Sequence, residues 1–317
     1  MSSAAPPRAR GGAILALAAA IAVGSVAFTL IKVVLRSVSP LTLAAGRVVF
    51  SAAAFAAVVA LQPRRRRPIA AGDRWRVLFC GLGGSAGFHL LFSWGQDRVS
   101  VTVAAVVLAT MPALVAAGEV AFLRHRLGAV QLAGLGLSLG GVAVTSWGGG
   151  DGGATSVLGA LAVAGATAVW SAVTVVTRSV AARYDPWWLN TPGTMLGAAV
   201  MVALAAPRYR ELGRLPALGW LELAWLGAVS SAFIYAALAR AMRDFSATTT
   251  ASLSTLVTPA SVVVAWIGLR EHTGPVAILG AVTVIGGVLL VTRSAPGRVG
   301  RRAGRVGRRA GRAGRAG

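Results

Sequence analysis

Apolar residues in this chain come in windows of about 20, and no other feature restricts its fold as much. A helix rises about 1.5 Å per residue, so such a window matches the roughly 30 Å hydrocarbon core of a bilayer. Ten windows carry little charge: about 13–35, 41–61, 75–96, 100–123, 128–147, 157–179, 187–206, 218–239, 247–269 and 274–292. Backbone polar groups in lipid must be satisfied within each segment, so every window is expected as a helix. The connections are short and rich in Pro, Gly or Arg: SVSP, QPRRRRP, GGGDGGATS, YDP and APRYRELGRLP. The first apolar run exceeds 20 residues, too long for the core of a signal peptide, and is read as the first span. The fold class expected is an all-α polytopic membrane protein with ten transmembrane helices.

The formal net charge of +22 suggests a nucleic-acid binder at first sight. Only 13% of residues are charged, however, and 56% are hydrophobic, which is a membrane composition. Nucleic acid is therefore disfavoured as a partner. With ten spans both termini share a side, and Lys and Arg decide which. Placing the termini in the cytoplasm puts 23 of the 31 basic residues inside, including Arg64–Arg67, and six outside, with Lys32 and Arg47 left within spans. Richness in Ala, Gly and Arg suggests a GC-rich bacterial source, so the expected location is the bacterial cell (inner) membrane.

Sliding the chain against itself by 146 positions aligns several features. Lys32 falls on Arg178, Ser39-Pro40 on Asp185-Pro186, Ser85 on Ser231, Ser100 on Ser246, Gly134 on Gly280, and Gly140-Gly141-Val142 on Gly286-Gly287-Val288. Five spans per copy is odd, so the second copy is expected upside down. Two inverted five-helix repeats are a transporter signature, with the substrate site between them near the midplane. The repeats are assigned to 13–147 and 157–292, followed by a disordered Arg/Gly-rich cytoplasmic tail, 293–317.

A polar stripe at spacings of 3, 4 and 7 marks a helix face turned away from lipid. Span 1 has Ser25, Thr29, Lys32 and Arg36; span 3 has Ser85, His89, Ser93 and Gln96; span 6 has Thr167, Ser171, Thr174 and Arg178; span 9 has Thr248, Ser252 and Thr255. Spans 2, 7 and 10 show no such stripe, and Gln131, Ser138 and Thr145 on span 5 drift around the helix. These hydroxyls either bond across helices and to their own carbonyls or line a wet cavity. On the cavity reading, the substrate-binding candidates are Ser25, Thr29, Lys32, His89, Ser93, Trp170, Ser171, Thr174, Tyr235, Ser252 and Thr255. Lys32 and Arg178 would attract an anionic solute from either mouth, or else snorkel to the interface. Glu119 and His89 are candidates for a coupling proton, Glu119 also being placed to pair with Arg124. Trp170, mid-span among polar neighbours, can stack on substrate.

Gly83/Gly87 and Gly136/Gly140 form GxxxG patterns suited to close helix packing. Pro112 and Pro259, one step out of register, are expected to kink spans 4 and 9. Cys80 is a lone packing cysteine. The tail after Thr292 is suited to anionic lipid heads. No HExxH, GxSxG, metal cluster or nucleotide-binding loop occurs, so no enzyme, catalytic residue, metal or cofactor is expected.

The run GSVAFTLIKVVLRSVSPLTLAAGRVVFSAAA resembles the start of an EamA domain of the drug/metabolite transporter superfamily, with Lys32, Pro40 and Arg47 at matching places. SVTVAAVVLATMPALVAAGEVAFL and SATTTASLSTLVTPASVVVAWIGLREHTGPVAILGAVTVIGGVLL resemble its fourth and fifth helices in two copies. The likeness covers about 13–292. It departs after span 4, where LRHRLG stands opposite the stretch holding Glu271, so a role for Glu119 does not transfer cleanly. The resemblance implies ten helices, inverted repeats and alternating access, with small polar metabolites, including carboxylate-bearing solutes such as amino acids, or drugs as cargo and export as the expected direction. The bilayer is the expected surrounding partner, with a homodimer left open. The rival reading is a membrane anchor or sensor that moves nothing and recruits partners through its basic tail; lipid translocation would instead require an apolar cavity.

Overall fold

The computed structural model describes residues 7–62, 68–122, 129–147, 156–245, 247–254, 256–270 and 274–294. The arginine cluster at 64–67, Arg124, Arg126, Thr255, Glu271 and the tail from 295 onward lie outside the described residues, as do the side chains of Thr248 and Ser252. Among the described residues the regular structure is entirely helical. The helices are α1 (Pro7–Val34), α2 (Pro40–Leu61), α3 (Ala71–Arg98), α4 (Val101–Leu108), α5 (Met111–Phe122) and α6 (Ala129–Trp147). They continue with α7 (Val157–Val180), α8 (Pro186–Ala205), α9 (Ala217–Arg243), α10 (Ala247–Ser254), α11 (Val257–Leu269) and α12 (Pro275–Ser294). Seven helical stretches are long and apolar enough to cross a membrane, and the apolar parts of α6, α11 and α12 are shorter.

Helix starts follow local chemistry. Ser39 accepts from the Thr42 amide and precedes Pro40; Asp185 accepts from the Trp187 amide and precedes Pro186. Ser100 and Ser156 cap α4 and α7. Each cap satisfies one amide that the first helical turn leaves open, and Pro has no amide to satisfy. Between α4 and α5 span 4 passes through one tighter turn at Ala109–Thr110, just before Pro112, where the Thr110 amide donates to the Val107 carbonyl.

Close backbone approach holds the bundle. On α6, Gly134 lies against the Gly287 carbonyl of α12 and Gly141 against that of Gly280, so the two helices run antiparallel through glycine notches. This corrects the expectation placed on Gly136 and Gly140, where an added Cβ would meet nothing within 4 Å among the described residues. At 3.6 residues per turn, positions 134, 138, 141 and 145 share a face, and 136 and 140 lie off it. Gln131, Ser138 and Thr145 are buried on the packed side, one stripe at a spacing of seven and not a drifting set. Gly83 and Gly87 do face a neighbour, meeting Val173 and Val169 of α7.

Elsewhere, Gly81 of α3 touches the backbone of Gly193 on α8, and Gly227 of α9 lies against the backbone of Arg47 and Phe50 on α2. The expectation that spans 2 and 7 lack a polar stripe fails as well: Thr42, Arg47 and Ser51 are buried on α2, and Asn190, Thr191 and Thr194 on α8. Asn190 and Thr191 bond back to the Pro186 and Trp187 carbonyls, so their polarity is spent within the helix.

Gly81→Leu should lower thermal stability in detergent by about 1–3 kcal/mol or more, since backbone cannot move aside as a side chain can. Gly136→Leu should change it by less than about 0.5 kcal/mol. Melting of the two purified variants beside wild type checks the contrast.

Candidate functional site

Regular α-helix gives way to wider π-helical turns at two places, Gly83–Gly87 in α3 and Trp225–Phe233 in α9. Gly83–Gly87 falls on 229–233 under the 146-residue shift, so the irregularity recurs in register. A π turn moves the hydrogen-bond ladder from i+4 to i+5 and turns side chains that a straight helix would aim elsewhere. Ser231 shows this directly, donating 2.9 Å to the Leu226 carbonyl five residues back.

Between the helices that these turns reshape lies a cleft enclosing about 880 Å³ of empty space, its open mouth included. One wall is apolar, with Leu17, Ile21, Gly24, Phe28 and Ile31 of α1 one turn apart. The lining also includes Arg47, His89, Trp170, Ser231 and Tyr235. Phe88 and Tyr235 flank Trp170 at ring separations of 5.0 and 4.6 Å, and Phe88 stacks on Phe92 at 5.1 Å.

Arg47 is 4% exposed. Its Nη2 donates 3.3 Å to the Ser231 hydroxyl, while Nε and Nη1 have no hydrogen-bond partner among the described residues. It forms no ion pair among them either. Burying a charge without a counter-charge is costly, and cations within spans are rare and generally face the bundle interior or a water-filled cavity. A guanidinium presents a planar fork of donors that fits a carboxylate in two parallel bonds. Beside it His89, 1% exposed, shares a 2.9 Å hydrogen bond with the Tyr235 hydroxyl, which also donates to the Gly84 carbonyl.

Trp170 and Tyr235 also line a smaller pocket enclosing about 290 Å³ of empty space, its open part included, together with Cys80, Thr174, Thr177, Asn190 and Met242. Two turns before Cys80 on α3 stands Asp73. Its carboxylate, almost wholly buried, receives Arg76 at 2.9 Å, Arg183 at 2.8 Å and the Tyr184 hydroxyl at 2.8 Å. Arg243 donates 3.1 Å to the Ala181 carbonyl and also to that of Tyr184, tying α9 to the same knot. Glu211 accepts from the Ser39 amide at 2.8 Å and the Thr42 hydroxyl at 2.7 Å.

Of the residues singled out from sequence, the cleft brings together His89, Trp170 and Tyr235. Thr174 lines the smaller pocket. Ser25, Ser171 and Thr174 donate to carbonyls of their own helices, from Ala22, Thr167 and Trp170. Thr29 and Ser93 are buried but outside the residues lining the cleft. Lys32 and Glu119, both half-buried, also lie outside that lining. The residue that sequence reasoning passed over is Arg47. Its signal was present: it was one of two basic residues left within spans when the others were assigned to loops.

Comparison with known proteins finds that the model of the EamA-like transporter family matches twice, over residues 10–147 and 157–293. A protein of Streptantibioticus cattleyicolor named "Probable terminal-alkyne amino-acid exporter" is 28% identical over 287 residues, 90% of this chain and 95% of its own. An uncharacterized transporter of Bacillus subtilis is 26% identical over 213 residues, 67% of this chain and 69% of its own. One crystal structure superposes with a TM-score of 0.65 at 22% identity, covering 90% of this chain and 98% of the other, a likeness of fold.

In a Cys80→Ala background, a cysteine placed at Ser230 on the cleft wall should react with a small water-soluble thiol reagent. One placed at Ser138, against the α12 backbone, should stay inert. Labelling rates in membranes check this.

Proposed function

The chain belongs to the EamA-like transporter family, and on that premise we propose that it is a secondary transporter exporting small amphipathic metabolites that bear a carboxylate. The observation that carries this reading is Arg47: a buried cation among the residues lining the cleft, with two nitrogens, Nε and Nη1, unmatched among the described residues. The carboxylate docks on Arg47, and the apolar remainder lies against α1 and the Phe88, Phe92 and Trp170 rings. The amino-acid cargo in the name of the S. cattleyicolor relative has the same charged head. Lipid translocation fits less well, because the lining includes the cation Arg47 together with His89 and Tyr235.

Transport proceeds by alternating access, in ten spans built as two inverted five-helix repeats. The doubled family match, the recurring caps at Ser39 and Asp185, and the π turns in register support that architecture. The Asp73–Arg183–Tyr184 knot closes one mouth and the Glu211–Ser39–Thr42 contact steadies the other. The excess of basic residues on one side supports cytoplasmic termini in the bacterial cell membrane, with the tail on anionic lipid heads. Proton coupling belongs to the same reading, with His89 in the cleft and Glu119 on α5 as its carriers. Among the remaining candidates, Lys32 draws anions toward the cleft, and Ser25, Thr29, Ser93, Ser171, Thr174, Ser252 and Thr255 meet the solute in other states of the cycle.

A metabolite-resolved comparison of cells expressing wild type, Arg47→Gln or a chain lacking residues 296–317 tests this. Carboxylates enriched in the medium by wild type should return to background with Arg47→Gln and persist with the truncation. Loss on truncation with Arg47→Gln silent would favour the anchor reading instead.

A further inference from the structure

Hydrogen bonds around the cleft can be followed proton by proton. The Gly84 carbonyl, in the π turn of α3, can only accept, so the single phenolic hydrogen of Tyr235 goes to it. The Tyr235 oxygen then offers a lone pair toward His89 Nε2, 2.9 Å away, and Nε2 must carry the imidazole proton. His89 Nδ1 is left as a bare acceptor, buried and without a partner among the described residues. Ser231 is already used, receiving Arg47 and donating to Leu226. Among residues lining the cleft, the buried side-chain atoms without partners are Arg47 Nε, Arg47 Nη1 and His89 Nδ1, two donors and one acceptor.

We infer that Tyr235 is a positioning residue that holds His89 in the Nε2–H tautomer, so that Nδ1 receives an N–H or O–H carried by the substrate next to the carboxylate on Arg47. This rests on the reading of Arg47 given above and sharpens it. The site then selects carboxylic acids bearing a hydrogen-bond donor, such as α-amino or α-hydroxy acids, over plain carboxylates of the same length. A plain acid leaves Nδ1 desolvated and unpaired, a penalty that discriminates strongly in a closed pocket. With Tyr235→Phe the rings still pack, but Nε2 loses its acceptor and the imidazole is free to move its proton to Nδ1. The acceptor then becomes a donor that clashes with the substrate's own.

Three probes of equal chain length separate the possibilities: L-norleucine, 2-hydroxyhexanoate and hexanoate, each labelled and measured by counterflow in proteoliposomes. Wild type should move norleucine, hydroxyhexanoate or both with kcat/KM about tenfold or more above hexanoate, which of the two identifying the donor as ammonium or hydroxyl. Tyr235→Phe should shrink that preference to about threefold or less, chiefly through KM. His89→Gln, which keeps a polar atom only near the Nε2 position, should do the same, and His89→Asn, which restores one near Nδ1, should recover part of it. Melting temperatures confirm that the variants fold. Preference retained in both Tyr235→Phe and His89→Gln overturns the inference. So does equal transport of all three probes by wild type, and if Arg47→Gln still abolishes that transport the broader reading survives. If no probe moves and Arg47→Gln changes nothing in the cellular comparison, both fall.

Discussion

Helices in lipid gain little from hiding apolar surface, because the surrounding chains are as apolar as they are. What remains is contact distance. The bundle depends on places where one backbone lies directly on another: Gly134 and Gly141 against α12, Gly81 against Gly193, and Gly227 against Arg47 and Phe50. Dispersion falls steeply with separation, so a side chain at any of these points would remove contact along a whole helix pair. These notches fix pairs of helices at backbone distance, and the cleft lies among α1, α3, α7 and α9 where side chains of α1 line it instead. The cleft is the complement of that packing.

Within the cleft, departures from regular helix and departures from polar pairing coincide. The π turns place Ser231 beneath Arg47 and the Gly84 carbonyl beneath Tyr235. A straight α-helix would offer neither partner in the same place. The cost of a buried, half-satisfied guanidinium is carried by surrounding structure that is otherwise well packed, as expected where binding strength is built in beforehand. Arg47 also sits at the Gly227 crossing, so the buried cation is anchored in one of the tightest helix contacts. A change of state that slides α2 past α9 would therefore move the charge itself.

The hydroxyl stripes show how far one-dimensional pattern carries. Ser25, Ser171 and Thr174 satisfied the spacing rule, yet each donates to a carbonyl one turn earlier on its own helix. Period identifies a face turned from lipid, whereas the orientation of a hydroxyl within that face depends on χ1 and on what stands opposite. GxxxG misled for a related reason on α6, where a second face at 134 and 141 had the true neighbour. Arg47 was passed over because a lone charge has no period.

What the chain determines by itself is its solvent and its economy of repetition. Apolar windows of membrane length, caps of Ser or Asp before Pro, the basic excess on one side and the 146-residue echo are all local or periodic, and so legible in one dimension. Only the tertiary structure decides which of those faces meet, since that depends on packing between segments far apart in the chain, 184 positions for Arg47 and Ser231. The pairing of α2 with α9 sets a buried Arg47 on Ser231 in the lining of the cleft. The meeting of Tyr235 with Gly84 and His89, over separations of 151 and 146 residues, engages Nε2 of the histidine and leaves Nδ1 buried without a partner among the described residues.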